Sequence, residues 1–339
     1  MKCFSLLQRL SVLLLVGASV GVFQSCCDYE DEVANIGNSS GIKVGEIVPG
    51  SGKRILEVGA NKYYYTADGF LDYVIQGGYR GVRWDFSSNK VVGKYEIEDE
   101  DSKTYNKIDA NLAFNEMGYL SKMSYDEIYE YEEKYGDYGK EVDKTKGSFN
   151  LSYDSEGHLV KIIGNSSEED SDGILEGQDI VTQVWSNGLL MENKWETVYS
   201  SDESYITITT YDYGDKMYIN KYKQYILNSL NGGWFDDMGY IGLLGKGPEF
   251  LPESVTITEI NVYDESEYTY SYSYSYEFNE DGTIYCVKTY GEYEEDNSTD
   301  YYTYGTYEDQ LNMDENETKS TRSGKRVNRN FLFGKHFMR

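Results

Sequence analysis

Apolar and polar side chains alternate with a period of two along most of this 339-residue chain. The clearest run is 268–278, in which tyrosine or phenylalanine recurs while Thr, Ser or Glu stands between. Successive side chains of a β-strand point to opposite faces, whereas a helix would scatter these rings around its circumference. The run is followed by Asn279, by Gly282 three residues later, and by a second apolar run from Ile284. This stretch therefore predicts a long β-hairpin.

The turn of this hairpin recurs as a motif: an aromatic residue, a turn-forming residue, two further residues, glycine, any residue, then Leu or Ile. It occurs at 65–71, 114–120, 153–159 and 278–284, and in a shortened form at 185–190. An Asx residue at the first turn position accepts a local hydrogen bond, and the glycine adopts the left-handed conformation of a bulged loop. We expect the aromatic and aliphatic residues to meet across the ladder. A ligand-binding role is the alternative for the turn glycines, which are Gly69, Gly118, Gly157, Gly188 and Gly282.

The other alternating runs extend the same plan. They predict an all-β protein, a large antiparallel barrel-like or meandering sheet built from long hairpins, over residues 55–310. The segment 125–135 also fits a helical stripe, so its structure stays open. The predicted strands are 55–65, 71–75, 81–86, 90–97, 107–114, 119–125, 147–153, 159–163, 180–186, 189–199, 204–213, 217–226, 254–263, 268–278, 284–290 and 300–307.

One insertion, 231–252, breaks the alternation. It holds two of the three prolines and a dense set of glycines. We predict a short helix over 234–244 and then an ordered loop that leads into Val255. Its apolar residues indicate that the insertion plugs or caps one end of the β structure. A lid or ligand loop is the alternative, because long irregular loops often carry function.

The first 25 residues read as a secretory signal peptide, with Lys2 and Arg9 before an apolar run too short to span a bilayer. A small residue followed by Cys26 resembles the lipobox of bacterial lipoproteins. That resemblance implies that Cys26 is lipidated and becomes the first mature residue, with Cys27 as the alternative. The acidic cluster 28–32 resembles the surface-export signal of Bacteroidota lipoproteins, which implies an outer-membrane protein that faces the exterior. Residues 26–54 read as an acidic, Gly- and Ser-rich tether.

The formal net charge is −28, and it becomes −30 when Lys2 and Arg9 leave with the signal peptide (−28 − 2). Such a surface repels nucleic acid and anionic lipid, so we expect contact with the membrane through the lipid anchor only. Residues 311–339 form a basic C-terminal tail. Three of its residues, Phe331, Phe333 and Phe337, need burial, which favours docking onto the domain over a free partner-binding arm.

The sequence singles out no catalytic constellation. It has 2 histidines and 4 cysteines, which argues against a His-based triad, a metal site of these residues and a disulfide framework. We predict no enzyme, no cofactor and no metal site. One acidic loop comes close to the spacing of a calcium-binding EF-hand, with Glu168, Asp170, Asp172 and Asp179, but β-type segments flank it.

The tyrosine row is the strongest candidate for ligand contact. Its five members share one strand face: Tyr268, Tyr270, Tyr272, Tyr274 and Tyr276. Aromatic rings stack on sugar faces, and their hydroxyls bond to sugar rims. The alternative, which we favour at this point, is that the row packs inside the barrel.

The repeated Tyr-Asp-x-x-Gly-x-Leu turns and the segment 242–252, placed before a Tyr- and Ser-rich hairpin, resemble a domain-of-unknown-function family of Bacteroidota lipoproteins. That family is described as having a porin-like fold. The resemblance implies an antiparallel barrel and no established activity. Our hypothesis is a non-catalytic binding or structural accessory module on the cell surface, with a glycan or another surface protein as its partner. A carboxylate-based polysaccharide hydrolase and a calcium-dependent adhesin are the alternatives.

Overall fold

The computed structural model is a closed antiparallel β-barrel of 16 strands. The structure describes residues 42–76, 82–87, 89–98, 102–133, 140–170, 173–199, 204–215, 217–225 and 238–313. Cys26, the signal peptide and the basic tail from residue 314 onwards lie outside these ranges. The predicted all-β barrel is therefore confirmed, and closure leaves no unpaired sheet edge in the wall.

The strands follow one another around the wall in chain order, except where the plug described below separates β13 from β16. The wall closes where β19 pairs with β2, and β1 is a short additional strand on β4. The strands are β1 Ile42–Lys43, β2 Arg54–Val58, β3 Asn61–Tyr65, β4 Phe70–Gln76, β5 Val82–Ser87, β6 Lys90–Glu98, β7 Ser102–Phe114, β8 Leu120–Glu133, β9 Lys140–Tyr153, β10 Leu159–Asp170, β11 Gly173–Ser186, β12 Leu189–Tyr199, β13 Ser204–Asp212, β14 Tyr218–Ile219, β15 Phe250–Leu251, β16 Ser254–Asn261, β17 Ser266–Phe278, β18 Ile284–Tyr290 and β19 Ser298–Gly305.

The predicted turn motif forms hairpins at every position where it occurs. Gly118 and Gly157 adopt φ angles of 81° and 93°, and the other three turn glycines are also left-handed. Asn115 Oδ1 accepts backbone hydrogen bonds from Met117 and Tyr119, and Asp154 Oδ1 does the same for its own turn. At the last hairpin Asp281, rather than Asn279, accepts this bond, because its Oδ1 receives the Thr283 N–H.

The expected contacts between aromatic and aliphatic residues across each turn are also confirmed. A register shift beside each turn sets the two residues directly opposite each other, as a bulged loop requires. The pairs are Tyr65 with Leu71, Phe114 with Leu120, Tyr153 with Leu159, Trp185 with Leu190 and Phe278 with Ile284. These residues anchor one end of the barrel.

The core lies on the inner face of the wall at this tight-turn end. One buried cluster takes residues from strands all around the barrel, such as Tyr63, Val91, Met123 and Val181. Side chains from strands so far apart around a closed wall meet only on its concave side. The core therefore identifies which of the two alternating faces points into the lumen.

A plug closes the same end. We use this name for residues 217–225 and 238–253, which leave the wall after β13 and return to it at β16. Its Leu244 and Leu251 are fully buried in the core cluster. Its backbone bonds to two hairpin turns, because Leu120 N donates to Leu243 O (2.8 Å) and Lys246 N donates to Gly157 O (2.9 Å). The predicted plugging role of 231–252 is thus confirmed for the part that is described.

The internal structure of the plug differs from the prediction. Of the expected helix over 234–244, residues 238–240 are helical and 241–244 form turns, while 231–237 lie outside the described residues. The expected strand 217–226 is reduced to β14, which pairs with β15. Glycines interrupt the segment too often for a longer helix to form, since each lowers helix stability.

Other parts of the wall also differ from the prediction. The predicted strand 55–65 is two strands, because Gly59 takes a left-handed φ of 56° and turns the chain between β2 and β3. The ambiguous segment after Tyr125 is strand, since β8 continues to Glu133. Several strands are longer than expected at the end away from the tight turns, where polar residues mask the alternation.

Both ends of the described chain lie at the plugged end. Ile42 pairs with Leu71 beside the Gly69 turn, and the Lys43 ammonium bonds to the Asp68 carbonyl. A helix over 307–313 follows β19, and its Gln310 side chain bonds to the Tyr65 backbone in both directions: it accepts from the N–H (2.8 Å) and donates to the carbonyl (3.2 Å). The opposite end of the barrel, which carries the turn at 262–265, is called the mouth below.

Candidate ligand-binding site

The predicted tyrosine row lies on β17 and faces the lumen. Tyr276 is 8% exposed and packs in the core beside the plug, while Tyr268 near the mouth is 59% exposed. The row therefore runs from the plug towards the mouth. Packing inside the barrel, which the sequence favoured, describes its inner end, and the outer end is accessible to a ligand.

The rings of this row do not form one flat platform. The interplanar angles are 35° between Tyr268 and Tyr270 and 86° between Tyr270 and Tyr272. The Tyr270 hydroxyl donates to Glu259 Oε1 on the neighbouring strand (2.9 Å), and the Tyr276 hydroxyl donates to the Pro252 carbonyl of the plug (2.8 Å). Two hydroxyls of the row, those of Tyr270 and Tyr276, therefore already donate hydrogen bonds within the protein.

The wall separates charge by face. Among the described strand residues of the barrel wall, the Lys and Arg side chains point outwards, apart from Arg54 at the plugged end. They are Lys62, Arg83, Lys90, Lys94, Lys103, Lys107, Lys122, Lys144, Lys146, Lys161, Lys194 and Lys288. Carboxylates occur on both faces, and six that point inwards are Glu127, Asp143, Glu168, Asp179, Glu259 and Asp300. The lumen is therefore an acidic surface interleaved with aromatic rings.

Two of the inward carboxylates are held by fixed donors. Asp179 Oδ1 accepts from Trp195 Nε1 (2.9 Å) and Thr197 Oγ1 (3.0 Å). Glu127 Oε1 accepts from Asn106 Nδ2 (2.6 Å). Burial in the wall raises the pKa of both carboxyl groups, against the smaller lowering effect of these donors. A ligand that offers hydroxyl donors would find acceptors of fixed direction here.

The sequence did not reveal the aromatic residues beside these carboxylates. Tyr125 and Phe149 lie on β8 and β9 with ring centroids 5.9 Å apart and an interplanar angle of 10°. Both are half-buried and border the core. The signal that could have indicated them is glycine in mid-strand at Gly147 and Gly164, since such a glycine often marks a close approach of another group.

The acidic segment whose spacing comes close to that of an EF-hand is part of a β-hairpin. Glu168 and Asp170 lie on β10, whereas Asp179 lies on β11 opposite Gly164, and Asp172 is outside the described residues. Leu175, not Asp179, stands opposite Glu168. Within the described ranges, no three His, Cys, Asp or Glu side chains lie close enough together to hold a metal ion.

Two other features lie outside the lumen. His158 is buried in its turn, where its Nδ1 contacts Asp154 Oδ2 (3.0 Å) and its ring stacks on Trp185. A shallow outer-wall cavity of about 140 Å³ is lined by Lys103, Tyr105, Glu130 and Glu132. Neither adds a group to the lumen.

Fold and wall together define a plugged β-barrel with an acidic, aromatic lumen. Two crystal structures, each described as that of a porin-like protein, are similar to this chain. The protein from Bacteroides vulgatus ATCC 8482 is 13% identical, with 74% of this chain and 98% of that chain covered and a TM-score of 0.46. The protein from Bacteroides uniformis ATCC 8492 is 14% identical, with 75% and 96% covered and a TM-score of 0.40. No protein-family model and no curated protein matches the chain.

The helices of the described residues include none that is long and apolar enough to cross a membrane. The outward positions of the wall carry ion pairs, such as Arg83 with Asp85 and Lys146 with Asp126.

Proposed function

We propose that this protein is a non-catalytic binding module, anchored by lipid to the outer membrane, that takes a ligand into the mouth of its barrel. The observation that carries the proposal is the inward wall, which combines aromatic rings with carboxylates and places the strand cations on the outside. The barrel is already stabilised by the core at its plugged end. The acidic and aromatic residues beyond that core are therefore better suited to binding a ligand than to stabilising the fold.

The plug closes the lumen at one end, so the barrel does not form a continuous channel. Its Lys221 ammonium and Tyr222 hydroxyl both bond to the Asp281 carbonyl (2.6 and 2.9 Å), so it also fastens to the β17–β18 turn. A barrel of about 16 strands is wide enough to leave an aqueous interior unless something fills it. Here the plug fills one end.

The charge of the wall restricts the ligand class. Carboxylates that line a concave, low-dielectric surface repel anions and nucleic acid, and they favour neutral or cationic ligands. Aromatic faces suit sugar rings and cations. A neutral glycan fits both conditions, as does a basic segment of another surface protein.

The anchor would orient the mouth away from the membrane. Cys26 and Ile42 are 16 positions apart (42 − 26), so the part of the tether before β1 spans about 55 Å at full extension. It joins the barrel at the plugged end, where Ile42 pairs beside the Gly69 turn. With a lipid on Cys26, the anchor is attached at the plugged end, which favours a mouth that faces away from the membrane.

Replacement of Cys26 with serine should remove the anchor. We expect Cys26→Ser to lose incorporation of radiolabelled palmitate and to leave the membrane fraction, whereas Cys27→Ser keeps both, because only the first mature residue is lipidated. Protease added to whole cells should cleave the wild-type protein if the barrel lies on the outer face of the membrane. Retained palmitate in Cys26→Ser would contradict the anchor, and full protection from protease would contradict the surface location.

Truncation of the accessible end of the tyrosine row should weaken binding. The full chain in detergent is screened on an array of neutral oligosaccharides and basic peptides, and the affinity of the strongest binder is then measured by calorimetry. We expect Tyr268→Ala with Tyr270→Ala to weaken binding by about tenfold, as loss of aromatic contacts predicts. Tyr301→Ala is the matched control, because Tyr301 is a similarly exposed ring on the outer wall (47% exposed). Equal losses in both variants, or cleavage of the bound oligosaccharide, would overturn the proposal.

A further inference from the structure

Tyr125 and Phe149 form a pair of nearly parallel rings on the lumen wall, which we call the aromatic platform. The planes of these two rings differ by 10°. In the tyrosine row, the planes differ by 35° between Tyr268 and Tyr270 and by 86° between Tyr270 and Tyr272. Two nearly parallel rings present their faces in the same direction, as one apolar surface. That is the shape of surface on which the apolar face of a pyranose ring stacks.

Glycine explains why these rings lie flat. Tyr125 stands directly across the ladder from Gly147, and Phe149 stands across from Gly164. A Cβ at Gly147 would lie 2.4 Å from Tyr125 Cε1, and one at Gly164 would lie 2.5 Å from Phe149 Cε1. Each ring therefore occupies the space that any other residue would fill.

Hydrogen-bond acceptors flank the platform. Asp179 lies at the Phe149 edge, since a Cβ on Gly164 would be 3.3 Å from Asp179 Cβ. Glu127 lies two residues beyond Tyr125 on the same strand. Each carboxylate has one oxygen held by wall donors, as described above, and among the described residues none donates to Asp179 Oδ2 or Glu127 Oε2. Burial of the Tyr125 hydroxyl, together with the negative charge of both carboxylates, raises its pKa and keeps it a donor.

We propose that the aromatic platform is a subsite for one sugar ring of a neutral glycan, with Asp179 and Glu127 accepting hydrogen bonds from its hydroxyls. This inference rests on the proposed function and names the ligand class of the lumen. Sugar hydroxyls are donors, and the site offers them acceptors of fixed direction beside an apolar face. A sugar that carries a carboxylate would be repelled by the same two groups.

The test uses full-length protein in detergent and calorimetry with neutral hexasaccharides (of cellulose, mannan and amylose) and a hexagalacturonate. We expect at least one neutral hexasaccharide to bind and the hexagalacturonate to bind at least tenfold more weakly. Tyr125→Ala and Phe149→Ala should each weaken neutral binding about tenfold, and Asp179→Asn by a similar factor. Tyr125→Phe should stay within about threefold, because it keeps the platform. Tyr301→Ala on the outer wall should change nothing.

Thermal melting of each variant separates loss of binding from loss of fold, and Asp179→Asn keeps the shape of the wall if Phe149→Ala does not fold. Unchanged affinity in Tyr125→Ala and Asp179→Asn, with a loss in the Tyr268 and Tyr270 variant, would overturn the subsite and leave lumen binding intact. Binding of basic peptides with no binding of neutral sugar would overturn the glycan assignment alone. If none of the substitutions in the lumen changes the affinity for any ligand, the proposed function is overturned as well.

Discussion

Gly247→Ala should destabilise the protein by about 3 kcal/mol, because the plug backbone has no space for one more carbon. A Cβ at this position would lie 2.1 Å from the Gln224 carbonyl oxygen, 2.5 Å from its carbon and 2.8 Å from Tyr225 N. All three atoms belong to the backbone, so no side chain can rotate away. The Gly247 N–H also donates to the Lys223 carbonyl (2.8 Å), which fixes the two plug segments against each other.

The measurement is urea denaturation followed by circular dichroism, with Gly45→Ala as the matched control. A Cβ on Gly45 would meet no heavy atom within 4 Å, so its replacement should be neutral. The plug of Gly247→Ala should also become sensitive to limited proteolysis before the wall unfolds. A Gly247→Ala variant that is as stable and as protease-resistant as the control would show that the plug does not close the barrel in this way.

The hairpins could be predicted because their determinants are local. An aromatic residue, a turn former and a glycine within seven positions specify the bend, and they also fix the register of the strands that it joins. The pairing of Phe114 with Leu120 follows from this chemistry alone. The plug was predictable for a related reason, since apolar residues without alternation need a partner that the strands do not supply.

Closure of the wall and the site within it could not be predicted in the same way. The pairing of β19 with β2 joins residues more than 240 positions apart, and nothing local in either strand specifies the other. The aromatic platform depends on which glycine stands across from which ring, a register accumulated over three strands. Alternation placed the tyrosine row on one face, but the exposure along it is set by the distance of each ring from the plug.

Asp179 shows how a residue can be noticed for the wrong reason. Its spacing from Glu168 suggested a calcium loop, yet the two residues lie on different strands and Leu175 stands opposite Glu168. The side chain instead receives hydrogen bonds from Trp195 and Thr197 across the ladder. The spacing of acidic residues along a chain predicts a cation site only when the backbone curves so that their carboxylates converge on one centre. An extended hairpin does not curve in this way.

Gly164→Val should lower both the stability of the barrel and its affinity for a neutral glycan. The branched side chain would occupy the space of the Phe149 ring, whose Cε1 and Cδ1 lie 2.5 and 2.7 Å from the Cβ position. The ring must then leave the wall, lose its alignment with Tyr125 and enter the lumen. We expect a loss of about 2 kcal/mol in unfolding free energy, typical of overpacking, and loss of neutral-glycan binding.

Lys161→Val is the matched control for this variant. It introduces the same residue on the same strand, but at an exposed outward position where valine suits a β-strand. Urea denaturation and calorimetry on both variants give the two readouts separately. If Gly164→Val binds neutral glycan as the wild type does, the ring does not need to lie on the wall and the platform has no role. If it loses binding while its stability matches that of Lys161→Val, the flat ring serves recognition alone, and glycine at this position is a feature of the site rather than of the barrel.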